Sequence, residues 1–137
     1  MNGRFVKSGD VERDQLDWGE IGWVSRPSFT GAKELCVLDV RLEPGHGHDF
    51  HKHPDQEEVI WVREGRIEQW LREDSSQLGP GEAVFIPKDT AHASFNTGDE
   101  TVRMTVVLAP CVGEGGYDLV DVASEEPWAS LRAKAGA

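Results

Sequence analysis

Long apolar runs are missing from this sequence. No stretch approaches the roughly 20 residues that a membrane-crossing helix needs, so no membrane partner is expected. The first fifteen residues hold no apolar block of the kind that directs secretion, and the expected address is the cytoplasm. Cysteine is scarce, with only Cys36 and Cys111. They form no Cys-x-x-Cys pair and lie in apolar segments, so buried free thiols are expected and thiolate metal chemistry is not indicated. Basic charge is also short: 14 Lys and Arg stand against 25 Asp and Glu, a net charge of −11 with neutral histidine. Such a surface repels phosphate backbones and anionic lipid, and no local basic stripe offsets it, so nucleic acid is not an expected partner.

What is present fits one soluble domain. The chain has 137 residues, 38% hydrophobic and 28% charged, enough for a single core and too short for two. Residues 1–17 are polar and weakly patterned and are expected to form an N-terminal arm. From Trp18 onward, short runs rich in Val, Ile, Leu and Trp alternate with Gly, Pro, Asp and Ser clusters, the rhythm of an all-β sandwich or barrel. Strands are expected over 20–25, 33–42, 50–53, 57–63, 66–72, 83–86, 92–96 and 101–108. Cys36, Leu38, Val40 and Leu42 share one face, and Val102, Met104, Val106 and Leu108 another, the period of strands with one buried side. The division expected is a barrel over 18–122 and a helical tail over 123–137. Ser124 would cap the helix, with Glu125, Glu126 and Pro127 in its first turn and Arg132 and Lys134 at the far end. Trp128 and Leu131 would pack on the barrel.

Histidine is the concentrated resource. Four of the five fall between His46 and His53, and His92 stands alone. In an extended strand His51 and His53 point the same way. The next strand splits into an almost uncharged face (Glu58, Ile60, Val62) and an outer face (Glu57, Val59, Trp61, Arg63). A carboxylate on a buried face needs a cation. His51, His53, Glu58 and His92 therefore make a ligand set of three nitrogens and one oxygen, suited to one divalent transition metal such as Fe, Mn, Ni or Zn. His46 and His48 are expected in an exposed loop.

The spacing resembles that of the cupins. Gly45, His51, His53, Glu58 and Gly65 match the first motif of that family, and Gly81, Pro87, His92 and Asn96 match the second. The departure is Asp89 where a glycine is usual, a residue that tolerates a left-handed turn. The resemblance spans about Trp18 to Leu108 and implies an all-β cupin jelly-roll β-barrel with a short C-terminal helix, a metal near one open end, and often a homodimer. Because the fold hosts many functions, the expected function is a small-molecule metalloenzyme of dioxygenase-like type acting on an oxygen-chelating compound. Isomerase and decarboxylase chemistry come next. The alternative is a non-catalytic metal-containing barrel that binds or senses a ligand. Phe50, Ile60, Val62, Ser94, Met104 and Val106 are candidate pocket walls, and no separate catalytic residue stands out. Tyr117, the one tyrosine, lies outside both motifs, which argues against a sugar epimerase. Trp18, Trp23 and Trp61 are too many large aromatics for so small a barrel, so some are expected at a homodimer interface, with the arm crossing over.

Overall fold

The chain folds as two facing antiparallel sheets in this computed structural model, which describes residues 3–135, with side chains as far as Arg132. Eleven strands are present: β1 Glu12–Leu16, β2 Gly19–Ser25, β3 Cys36–Leu42, β4 Gly47–Lys52, β5 Glu57–Glu64, β6 Ile67–Leu71, β7 Asp74–Leu78, β8 Ala83–Ile86, β9 His92–Phe95, β10 Val102–Ala109 and β11 Val120–Asp121. Two helices accompany them, α1 Pro27–Thr30 and α2 Trp128–Ala135. The larger sheet runs β1-β2-β3-β10-β5-β8 and the smaller β11-β4-β9-β6-β7. This is the jelly-roll barrel. No helix among the described residues is long and apolar enough to cross a membrane.

The alternating strands form as their patterns require. Along β3 and β10 every second side chain is buried, and Leu38, Val40, Leu42, Val102, Met104 and Leu108 meet between the sheets. Cys36 is buried and Cys111 half-buried, both as free thiols; burial pushes the Cys36 thiol up to about 12. Glycine is needed at the turns before β4, β6 and β8, where Gly45, Gly65 and Gly81 have φ of 78°, 80° and 86°. Asp89 takes the same left-handed conformation, φ 56°, and its carboxylate pairs with Lys52 at 2.9 Å. Asn96 ties a turn together, donating to the carbonyls of Leu42 and Glu100.

Three expectations change. β1, β7 and the two-residue β11 are strands that the sequence pattern does not reveal; β1 lies within the stretch expected as an arm, pairs with β2 along its whole length and buries almost nothing. The terminal helix starts at Trp128 rather than just after Ser124; the Asp121 carboxylate takes the Ala123 amide, and turns carry the chain on to Pro127. Arg132 does not merely face the helix end: it covers the Phe95 ring at 3.7 Å and pairs with Glu68 at 2.8 Å. Lys134 lies outside the described side chains. Trp128 and Leu131 do pack on the barrel, over Phe50, Trp70, Phe95 and Val122 on the outer face of the smaller sheet.

Candidate metal centre

One end of the barrel collects the chemistry. β4 brings His51 there, the turn after it brings His53, β5 starts with Glu58 buried and Glu57 exposed, and β9 starts with His92. His51, His53 and His92 are all buried, and one ring nitrogen from each lies within 4.8 Å of the others. The Glu58 carboxylate sits 2.8 Å from Nε2 of His92 and 3.4 Å from Nε2 of His53.

Backbone carbonyls fix the rings. Nδ1 of His51 bonds Asp49 O at 2.7 Å, Nδ1 of His53 bonds Asp118 O at 2.7 Å, and Nδ1 of His92 bonds Thr90 O at 2.9 Å. A carbonyl only accepts, so in each case Nδ1–H donates and the lone pair of a neutral ring is on Nε2. Metal-ligating histidines are oriented in this way.

Two buried atoms test whether a cation fits. Glu58 Oε1 and His92 Nε2 lie 2.8 Å apart, and with His92 neutral both are acceptors with no hydrogen-bond donor among the described residues. Orphaned buried atoms of this kind are costly unless something coordinates both. The donor set fits a divalent transition ion, held by the three Nε2 atoms with the Glu58 carboxylate beside them.

Charge follows burial and neighbours. Burial holds His51 well below the ordinary imidazole range, with neighbouring histidines adding to the effect. Burial also lowers His53, against the pull of Glu58. Burial would lower His92 too, but the Glu58 carboxylate outweighs it and His92 is raised. Burial would raise Glu58, yet the His92 imidazole leads the neighbours that bring it below its usual value.

Around these residues lies a cavity with about 450 Å³ of empty space, counting its open mouth. Ile60, Ser94, Met104 and Val106 line it, as do Leu38, Val40 and Leu108. Phe50 does not: it lies on the opposite face of β4 and packs against Trp70 and Phe95. Val62 is wholly buried in the main core, two residues further along β5 than Ile60, and does not reach the cavity.

Three aromatic or polar wall residues escape the sequence reading. His48 is not in an exposed loop; it lies in β4, half-buried, its ring stacked on His51 at 3.7 Å and on Trp18 at 4.9 Å. A bulge explains this. His48 pairs with Ser94 and His51 with His92, so three steps on β4 match two on β9, and both imidazoles face inward. Burial pushes His48 down to about 4. Trp18 is thus part of the cavity, Trp23 is buried, and only Trp61 of the three is exposed. Tyr117, outside both motifs in sequence, lines the cavity with its ring 5.5 Å from that of His53. His46 is exposed, its Nδ1 bonded to Pro44 O.

The fold and site have relatives. Polyketide synthase CurC of Streptomyces cyaneus is 30% identical over 121 residues, covering 88% of this chain and 79% of that protein. Protein SchB of Streptomyces halstedii is 31% identical over 107 residues, 78% of each chain. Among solved structures, the polyketide cyclase RemF of Streptomyces resistomycificus superposes with a TM-score of 0.71 at 24% identity, covering 94% of this chain and 92% of that one. The cupin domain family matches residues 38–108, from the core of β3 to the end of the cavity wall on β10. With the two motifs, the jelly roll and the inward histidines in agreement, the chain belongs to the cupin domain family.

Proposed function

We propose that this protein is a metal-dependent cupin enzyme that binds a poly-β-carbonyl chain through neighbouring keto oxygens and promotes its enolisation and cyclisation. The observation that carries the reading is the donor set: three Nε2 atoms and one carboxylate, with every Nδ1 tied to a carbonyl, at the base of an apolar cavity. The similarity to polyketide synthase CurC supports the substrate class. A divalent ion held by His51, His53, His92 and Glu58 would supply Lewis acidity to the paired oxygens.

The chain's own residues do the rest. Leu38, Val40, Ile60, Met104 and Val106 strip water from a chain end and keep its carbons close. His48 stays uncharged at neutral pH and is placed to take a proton from a methylene between two carbonyls. The enolate carbon then attacks a second carbonyl carbon of the same chain, the new alkoxide takes a proton, and loss of water completes the ring. No outside oxidant is needed. The dioxygenase-like reading uses the same donors and differs in consuming dioxygen.

The test uses protein loaded with cobalt(II), nickel(II) or zinc(II) and 2,4-pentanedione as probe. Bound metal should fall strongly in His51→Ala, His53→Ala, His92→Ala and Glu58→Ala, and stay in Glu57→Ala. The probe should shift the cobalt spectrum, and its central methylene should exchange for deuterium about tenfold faster or more than with metal-free protein. Dioxygen uptake with such a probe would favour the oxygenase reading. A fully metallated protein whose spectrum ignores every oxygen chelator would overturn both and leave a ligand-binding or sensing barrel with a structural metal.

A further inference from the structure

Apart from the candidate ligands and His48, the cavity presents few polar side-chain atoms. Ser94 donates its hydroxyl to Gln69 Oε1 at 2.6 Å. Tyr117 differs, because no group among the described residues hydrogen-bonds its hydroxyl. A cavity-lining phenol whose hydroxyl is not already bonded within the protein can donate to a ligand atom.

The ring is held firmly in this position. It packs against Trp23 at 5.4 Å and against His53 at 5.5 Å. Tyr117 belongs to a strap, residues 110–118, that Gln56 ties down. The fully buried Gln56 amide donates to Pro110 O and Gly116 O, and its carbonyl oxygen takes the Asp118 amide. The Asp118 carbonyl, one residue beyond Tyr117, takes Nδ1–H of His53. The carbonyl that orients a candidate ligand and the phenol that lines the cavity therefore belong to the same strap.

We infer that Tyr117 is a ligand-positioning residue whose hydroxyl donates to an oxygen of the bound chain beyond the pair held at the histidine centre. The inference rests on the poly-β-carbonyl reading and adds a selection rule. The site prefers a chain with a third oxygen over a simple bidentate chelator, since a site built to hydrogen-bond one more oxygen discriminates against ligands that lack it.

Two probes separate the two ideas. Metal-loaded wild type and Tyr117→Phe are titrated with 2,4-pentanedione, which has two oxygens, and with 2,4,6-heptanetrione, which has three. Tyr117→Phe keeps the ring and should keep full metal content. Its affinity for the diketone should stay within about twofold, and its affinity for the triketone should fall about tenfold, the worth of one hydrogen bond. Equal changes for both probes, or none for either, would overturn the role of Tyr117 and leave the diketone reading standing. Loss of metal from Tyr117→Phe would do the same, by making the residue structural. A wild type that binds neither probe would overturn the poly-β-carbonyl reading and this inference with it.

Discussion

At the scale of single residues, His92 carries the most consequence, because it couples proton and metal. Its imidazole is raised by the facing Glu58 carboxylate, whereas His51 is held well below the ordinary range by burial. In the metal-free protein at about pH 6, below the ordinary imidazole value, His51 is ready with a free lone pair and His92 holds its proton. An ion entering the site must displace that proton. Calorimetry at about pH 6 in two buffers of different ionisation heat should therefore show about one proton released per ion bound. The number should fall as pH rises through the His92 value, where the ring is already neutral. Glu58→Gln removes the charge that raises His92 and should lower the release at the same pH. Metal uptake with no proton released around pH 6 to 7 would mean that the pair is neutral in the free protein.

At the scale of elements, the terminal helix and the metal centre lie on opposite faces of the smaller sheet. α2 is only eight residues long and would not persist alone in water. It is held by Trp128 and Leu131 over Phe50, Trp70 and Phe95, and by Arg132 against Phe95 and Glu68. Ending the chain after Val122 should cost roughly 2–4 kcal/mol of stability by exposing that aromatic face. Denaturant midpoints would measure the loss, and metal content per folded chain should not change. Unchanged stability would show that the aromatic cluster needs no cover. The same elements explain what could be read in advance. β3, β5 and β10 each have one buried face, so their alternation is written in the sequence, and Glu58 separates from Glu57 on that basis. β1 and β7 are largely exposed on both faces and owe their form to the pairing of β2 and β6, so no pattern marks them. His48 is hidden for a different reason: the bulge in β4 adds a residue between two inward positions, and period-two reasoning then gives the wrong face. Tyr117 arrives on a strap without periodicity, placed by the side-chain bonds of Gln56, which no local pattern encodes.

At the scale of the whole molecule, charge and apolar surface pull in opposite directions. Each chain carries −11, so two copies repel at a distance. Yet the outer face of the larger sheet holds an uncharged row across four adjacent strands: Phe85 on β8 pairs with Val59, Val59 with Val107, and Val107 with Val37. Trp61 lies two residues along β5 from Val59 on the same face, 43% exposed under the Arg63 guanidinium, and Phe85 is 54% exposed. β1 is already paired to β2 of its own chain, so this row rather than an exchanged strand is the surface with most to gain from a second copy. Contact through it removes apolar area from water. We therefore expect a homodimer, visible by light scattering at micromolar concentration. Trp61→Glu should weaken it at least about tenfold without changing metal content, since it puts a charge into the contact. Added salt should tighten the wild-type association, because screening reduces the repulsion between the two acidic bodies and leaves the apolar contact intact. Association weakened by salt would point to ion pairs at the contact instead, and a monomer at every concentration and salt level would rule out self-association through this face.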